Sequence, residues 1–159
     1  MTNMDKLYEA VEARGPVCVG LDTDFSYLPA DFVDSTLTKG ENIVRFNKKL
    51  IDATKAVAGC YKVQIAYYES LGMEGMKAYA DTLKAVREAG VPVIADIKRG
   101  DIGATATAYS EGWLGKTVVG QSSFSTFDKI FCNIIASIVV YFSSAVKNVA
   151  AITAGNFCW

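Results

Sequence analysis

Histidine is absent from this 159-residue chain, and its absence excludes several kinds of catalytic site. A Ser-His-Asp triad, a Cys-His pair and every metal site with a histidine ligand need the imidazole ring. Closely spaced cysteines are absent as well. The four cysteines, Cys18, Cys60, Cys132 and Cys158, form no Cys-x-x-Cys pair, so the sequence predicts no zinc site. We expect Cys18 and Cys60 to be reduced, buried thiols.

An excess of charge of one sign is also missing. The chain has 16 basic and 17 acidic residues, giving a formal net charge of −1, so it has no basic surplus for binding nucleic acid. The length fits one domain with a sizeable core. The N-terminal stretch MTNMDKLYEAVEARG is polar and helix-like, unlike a signal peptide. Together with the reduced thiols, this favours a cytoplasmic protein.

Strand and helix patterns alternate along the first part of the chain. The strand patterns are PVCVGLD, GCYKVQIA and VPVIADIK, and amphipathic or helix-like segments separate them. Each crossover helix returns the chain to the edge of the sheet where the previous strand began, so that successive strands run in the same direction. The pattern therefore predicts a parallel α/β sheet. The predicted helices are Asp5 to Ala13, Glu41 to about Val57, 72–90 with Gly90 at its end, and one that begins near Ala104.

Each strand pattern has one apolar face and collects charge on the other face, near its C-terminal end. In the second strand, Tyr61, Val63 and Ile65 oppose Lys62 and Gln64. A doubly wound sheet covers both faces with helices and would tolerate that charge poorly. In a TIM barrel the second face lines the barrel and its catalytic mouth. We therefore predict an α/β fold of the (β/α)8 TIM-barrel type, with residues 1–115 as its N-terminal part.

The charged residues of the three strands are expected to converge. Asp96 and Lys98 leave one face of the third strand, Lys62 lies on the same face of the second, and Asp22 on that of the first. Alternating charges keep one another ionised, and a fixed array can stabilise or destabilise charge on a substrate without a cofactor. A structural salt-bridge network is the alternative interpretation. Arg99 should point away from the barrel, into a structural or interface salt bridge.

Three motifs, in this order, resemble those of the orotidine 5′-phosphate decarboxylase family. VCVGLDTD is similar to the family's first strand, YKVQIAYYESLG resembles the second-strand region of its bacterial branch, and DIKRGDIGATATAY resembles its Asp-x-Lys-x-x-Asp-Ile-x-x-Thr signature. A related sugar-phosphate synthase family shares the Asp-x-Lys-x-x-Asp core, but the Lys-Arg-Gly-Asp-Ile-Gly form favours the decarboxylase. The resemblance implies conversion of orotidine 5′-phosphate to uridine 5′-phosphate in de novo pyrimidine biosynthesis. It also implies that neither a metal nor an organic cofactor takes part.

The resemblance further implies a catalytic tetrad of Lys62, Asp96, Lys98 and Asp101. In this assignment Asp96 lies against the substrate carboxylate and disfavours it relative to departing CO₂. Lys98 stabilises the carbanion that develops at C6 of the pyrimidine and then delivers a proton to it. Lys62 orients Asp96 and helps to bind the ribose.

The substrate-binding residues implied by the resemblance are Asp22, Lys62, Ile102 and Thr105. Asp22 would hydrogen-bond the ribose hydroxyls. The residues matching Asp101, Ile102 and Thr105 enter the partner subunit's active site in this family, so a homodimer with shared active sites is implied.

The character of the chain changes near Gly115. Residues 116–159 have few charges and form an atypical tail, without the later strands or the Gly-rich and Arg-containing loops that bind the substrate's phosphate in the family. We interpret the change as a truncated or frameshifted reading frame and expect activity reduced by orders of magnitude. The alternative function is a non-catalytic barrel fragment that folds or dimerises without turnover. A membrane anchor at 130–146 is a weaker alternative, because that apolar segment is short and contains Asn133.

Overall fold

The computed structural model describes residues 2–124. Its core is a three-stranded parallel sheet in the order β1-β2-β3, in which helices connect successive strands as the sequence predicts. The elements in chain order are α1 (Asn3–Arg14), β1 (Val17–Gly20), a 3-10 turn (Phe25–Tyr27), α2 (Lys39–Thr54), β2 (Ala58–Gln64), α3 (Ala66–Glu69), α4 (Gly72–Glu88), β3 (Val93–Asp96), α5 (Gly103–Trp113), β4 (Thr117–Val119) and β5 (Ser122–Phe124).

The helix ends are determined by local hydrogen bonds. Helix α2 begins with a capping box in which the Thr38 hydroxyl accepts from the Glu41 amide and the Glu41 carboxylate accepts from the Thr38 amide. This box starts the helix two residues before the predicted Glu41. Beyond α4, Gly90 has φ +71°, a left-handed conformation that glycine adopts without steric cost. The predicted helix end at Gly90 is thus confirmed.

One face of the sheet is buried against the helices. Tyr61, Val63 and Ile65 of the β2 region and Val93 and Ala95 of β3 are at most 3 % exposed, and helices α2 and α4 pack together over the same core. The predicted apolar face is therefore confirmed for the second and third strands. In parallel pairing, Lys62 lies beside Gly20 of β1 and Ile94 of β3, so the opposite face carries the predicted polar residues.

The edge strand β1 departs from two predictions. Cys60 is a buried free thiol, as expected, but Cys18 is exposed, so its predicted burial is wrong. Val17, at the start of the predicted apolar face, is exposed as well. The cause is position: within residues 2–124, β1 pairs with β2 on one side only and so lies at the edge of the sheet.

The last described residues form an antiparallel hairpin of β4 and β5 that the sequence pattern does not predict. No helix within residues 2–124 combines the length and the apolar character needed to cross a bilayer. The segment 130–146 discussed above lies outside the described residues, as does most of the predicted tail.

Candidate active site

Four charged side chains meet where the three parallel strands end. Asp22 follows β1, Lys62 lies near the end of β2, Asp96 is the last residue of β3, and Lys98 follows two residues later. Because the strands are parallel, their carboxyl ends share one edge of the sheet, and this edge is the catalytic mouth in TIM barrels. The structure thus brings together the four residues that sequence analysis placed on one face.

Asp96 is the most buried member of this charged cluster, at 2 % exposure. Its Oδ1 accepts a hydrogen bond from Lys98 Nζ at 2.5 Å, and its Oδ2 accepts one from Gln64 Nε2 at 2.8 Å. Lys62 Nζ lies 3.5 Å from the same Oδ2. A carboxylate this deeply buried is costly unless it is paired and hydrogen-bonded, and here two ammonium groups and one amide supply those partners.

Lys62 connects the two carboxylates. Its Nζ lies 3.2 Å from Asp22 Oδ2 and 3.5 Å from Asp96 Oδ2, while Asp22 Oδ1 accepts from the backbone amide of Gln64 at 3.1 Å. Burial by itself lowers the pKa of Lys62, but the charges and hydrogen bonds of Asp22 and Asp96 together outweigh it, so the pKa is raised. Lys62 is therefore held in its charged form between them.

Lys98 differs from the rest of the cluster in backbone and exposure. Its φ is +49°, a left-handed conformation shared by no other non-glycine residue within 2–124. Its side chain is about half exposed although its ammonium contacts the buried Asp96. The left-handed backbone turns the chain out of strand geometry while the ammonium stays on the carboxylate. Strained positions of this kind cluster at functional sites.

Gln64 is part of the site, although sequence analysis only placed it on the polar face. Besides its bonds to Asp96 and Asp22, it has a buried side-chain oxygen, Oε1, with no hydrogen-bond partner among the described residues. An orphaned buried acceptor costs about 1–3 kcal/mol. Its position two residues after Lys62 on the same strand face was the available signal.

The structure does not join the other predicted site residues to the charged cluster. Asp101, Ile102 and Thr105 are exposed around the start of α5. The Asp101 carboxylate accepts from the Ile102 amide at 2.8 Å. The three side chains are therefore solvent-exposed and contribute no contact to the charged cluster of their own chain among the described residues.

Arg99 points away from the cluster, as predicted. It forms a salt bridge with Glu69 and donates to the Ile97 carbonyl at 2.9 Å. This contact ties the segment after β3 to α3, so the expectation of a structural salt bridge is confirmed.

A buried hydrogen-bond network lies behind Asp22. Thr23 Oγ1 donates to Asn47 Oδ1 at 2.6 Å, and Asn47 Nδ2 reaches Tyr68 Oη at 2.9 Å and Thr82 Oγ1 at 3.1 Å. Tyr68 Oη donates to the Leu21 carbonyl at 2.8 Å. The residues on both sides of Asp22 are therefore tied to α2, α3 and α4, which holds the backbone around Asp22 in place. We refer to Thr23, Asn47, Tyr68 and Thr82 as the Asn47 network.

The charged cluster contains no ready metal site. Within the part of the chain that is described, no group of three or more Cys, Asp or Glu side chains is placed to hold a metal ion. Both carboxylates of the cluster are already occupied by ammonium groups, at 2.5 to 3.5 Å.

Parallel strands alternating with helices, with charged side chains gathered at the strands' carboxyl ends, define the N-terminal part of a TIM barrel. Solved structures agree. An orotidine 5′-phosphate decarboxylase structure from Leishmania donovani superposes with a TM-score of 0.55 at 36 % identity, over 70 % of this chain and 39 % of that one. A Streptomyces avermitilis structure, provisionally described as the same enzyme, gives a TM-score of 0.60 at 35 % identity, over 70 % and 38 %.

The chain belongs to the orotidine 5′-phosphate decarboxylase / HUMPS family, whose profile matches residues 15–123. An orotidine 5′-phosphate decarboxylase of Clostridium botulinum is 55 % identical over 108 residues, which are 68 % of this chain and 38 % of the relative. That of Clostridium perfringens is 52 % identical over 107 residues, or 67 % and 37 %. The chain thus spans less than two fifths of the length of these relatives.

Proposed function

We propose that this chain carries the charged half of an orotidine 5′-phosphate decarboxylase site, and that the protein acts in pyrimidine nucleotide synthesis. The observation that supports this most directly is the alternation of Asp22, Lys62, Asp96 and Lys98 at the carboxyl ends of neighbouring strands. The Clostridium relatives, which bear that enzyme's name, make decarboxylation the reaction to test.

In the proposed reaction the substrate carboxylate lies against Asp96, whose burial leaves its negative charge weakly screened. Repulsion between the two carboxylates raises the energy of the bound substrate relative to neutral CO₂. The bond between C6 and the carboxylate breaks, and its electron pair stays on C6. The Lys98 ammonium stabilises that pair and then donates its proton to C6, so that uridine 5′-phosphate and CO₂ leave. Lys62 fixes Asp96, and Asp22 accepts from the ribose hydroxyls.

We further propose that two copies share their sites. Asp101, Ile102 and Thr105 are exposed together beside α5, which leaves them accessible to the charged cluster of a second subunit. The cytoplasm is the proposed location, since the thiols Cys18 and Cys60 are both free.

The assay follows the loss of orotidine 5′-phosphate absorbance with the purified chain. Turnover that falls by about a thousandfold or more in Lys98→Ala, and stays unchanged in Lys84→Ala on the outer face of α4, is the expected result. Turnover that survives Lys98→Ala refutes the assignment of the proton donor. A mixture of Asp101→Ala and Lys98→Ala chains should regain activity if sites are shared, because one site of each mixed dimer is intact.

One observation favours a second candidate, a non-catalytic fragment. The chain spans 38 % of its Clostridium botulinum relative, and remote binding contacts supply much of an enzyme's transition-state stabilisation. Calorimetric titration with orotidine 5′-phosphate separates the two candidates. If the chain shows no heat of binding and no turnover, the result favours the non-catalytic fragment.

A further inference from the structure

Two cysteines lie side by side on the face of the sheet that carries the charged cluster. Cys18 of β1 and Cys60 of β2 are register partners in the parallel pair. Partners on neighbouring strands are about 4.8 Å apart at Cα, which lies within the 4.4–6.8 Å that disulfides span. Register partners also project from the same face, so the two thiols adjoin. Both thiols are free.

The surroundings of the two thiols are unequal. Cys18 is exposed, whereas Cys60 is 7 % exposed. A hydrogen bond from Cys60 and the charge of Lys62 lower the pKa of Cys18 to about 7, against burial and the charge of Asp22, which raise it. The hydrogen bond to Cys18, followed by burial, raises the pKa of Cys60. Cys18 is therefore the accessible thiolate and Cys60 the protonated neighbour, an arrangement that suits thiol exchange.

We propose that Cys18 and Cys60 form a reversible disulfide site, oxidised by a small disulfide of the glutathione type. The Cys18 thiolate attacks one sulfur of the oxidant and releases one thiolate of the reagent. Cys60 then loses its proton and attacks Cys18 Sγ, which releases the second. Two protein thiols and one reagent disulfide thus become one protein disulfide and two reagent thiols.

The local backbone favours closure of this bond. The pairing of β1 with β2 is irregular between Val17 and Cys18, where Gly59 has no partner on β1, and bulges of this kind relax the ladder locally. Strand β1 is also at the edge of the described sheet. A small approach of Cys18 towards Cys60 therefore disturbs one ladder only.

The bond would lie close to the charged cluster but outside it. Cys60 is two residues before Lys62, and Cys18 is four before Asp22, on the same two strands. Oxidation replaces the Cys18 thiolate near Lys62 by a neutral sulfur and clamps β1 to β2. This site needs no turnover, so it can be tested whether or not the proposed decarboxylase activity is found.

The experiment uses the full chain with Cys132→Ser and Cys158→Ser, so that only the pair can react. The folded protein is incubated with mixtures of reduced and oxidised glutathione, quenched in acid and digested with trypsin. Cleavage gives Cys18 in the peptide 15–39 and Cys60 in the peptide 56–62. We expect these two peptides to be cross-linked, and the link to disappear on dilution into reduced glutathione.

Matched variants make the result decisive. Cys60→Ala should keep Cys18 as a stable mixed disulfide with glutathione, whereas Cys18→Ala should leave Cys60 unmodified, because Cys60 is buried. Circular dichroism confirms that each variant is folded. Free thiols, or a persistent mixed disulfide on Cys18 with Cys60 still present, would overturn the proposal. If Cys60→Ala does not fold, the more conservative Cys60→Ser replaces it in the same comparison.

Discussion

The Nζ of Lys98 lies 2.5 Å from Oδ1 of Asp96, and the lysine that makes this contact has a left-handed backbone. In a regular strand, residues two apart project in parallel and extend the strand. Here the chain leaves strand geometry at Lys98, yet the ion pair is retained. The conformation costs an L-residue about 1–2 kcal/mol. The ion pair between Lys98 and Asp96 is thus formed with Lys98 in an unfavourable backbone conformation.

That cost can be measured with two substitutions that both remove the ammonium group. Lys98→Gly relieves the left-handed conformation and Lys98→Ala does not, so we expect the glycine variant to be more stable by about 1 kcal/mol in urea unfolding. The same pair of substitutions at Lys84, inside helix α4, should show the opposite order by a similar amount. Equal free energies of unfolding for the two Lys98 variants would show that the backbone at this position is not strained.

The Asn47 network should dominate the stability of the segment around Asp22. Asn47→Leu keeps the side chain's approximate size but leaves the hydroxyls of Thr23 and Thr82 without their partner. At about 1–3 kcal/mol for each orphaned buried group, we expect a loss of several kcal/mol in the free energy of unfolding. Asn3→Leu, at an exposed position of α1, is the control. A change below about 0.5 kcal/mol for Asn47→Leu is the outcome typical of surface sites and would count against the network.

Gly75 and Gly112 form a matched pair of helical glycines with opposite predictions. A Cβ at Gly75 would collide with the Tyr68 carbonyl oxygen, whereas one at Gly112 would meet nothing within 4 Å. Gly75→Ala must displace backbone and should cost about 3 kcal/mol or more. Gly112→Ala should stabilise α5 by about 0.5–1 kcal/mol. Thermal unfolding of both variants tests the order, and a neutral Gly75→Ala would disprove the close approach of α3 and α4.

Alkaline pH should destabilise the fold through Tyr68. Burial raises the pKa of Tyr68 to about 12, against a usual value of 10. A raised folded-state pKa contributes stability that is complete below pH 10 and is lost as the pH rises towards 12, because the unfolded phenol ionises first. The free energy of unfolding should fall across that window, and less steeply in Tyr68→Phe. Tyr67→Phe, its more exposed neighbour, should follow the unsubstituted chain.

The reactivity of Cys18 should rise with pH around neutrality. Its pKa of about 7 reflects the groups that face it, namely Cys60, Lys62 and Asp22. The rate of alkylation by iodoacetamide should therefore reach half its maximum near pH 7, since only the thiolate reacts. In Cys60→Ala the hydrogen bond is lost and the midpoint should move up towards 8.5. An unchanged midpoint would show that Cys60 does not lower the pKa of Cys18.

Periodicity predicts most of this fold because the burial of alternate strand residues and the conformation of turns are both encoded in short stretches of sequence. Alternation with period two identifies the buried residues of β2 and β3, and turn chemistry identifies Gly90. The convergence of Asp22, Lys62, Asp96 and Lys98 follows from parallel pairing alone, because residues at equivalent strand ends become neighbours.

What periodicity misses depends on contacts that are distant in sequence or on backbone geometry. Cys18 is exposed because β1 is an edge strand, a property of sheet order rather than of its own residues. In the sequence, Gln64 is an ordinary polar strand residue. Its role follows from the hydrogen bond that its side-chain amide donates to Asp96, 32 positions away. The left-handed Lys98 has no sequence signal, since lysine does not favour that conformation. The β4–β5 hairpin carries too few residues for a periodic pattern.

The two carboxylates and two ammonium groups of the charged cluster sum to zero, and this neutrality affects how substitutions there combine. Removing the charge of any one of them leaves the cluster with one uncompensated charge, so the effect of each single substitution includes the cost of leaving its former partner unpaired. Asp96→Asn combined with Lys98→Met restores neutrality and should destabilise the fold by less than the sum of its parts. The four residues therefore act on stability as one unit, and only a double-substitution cycle can apportion what each contributes.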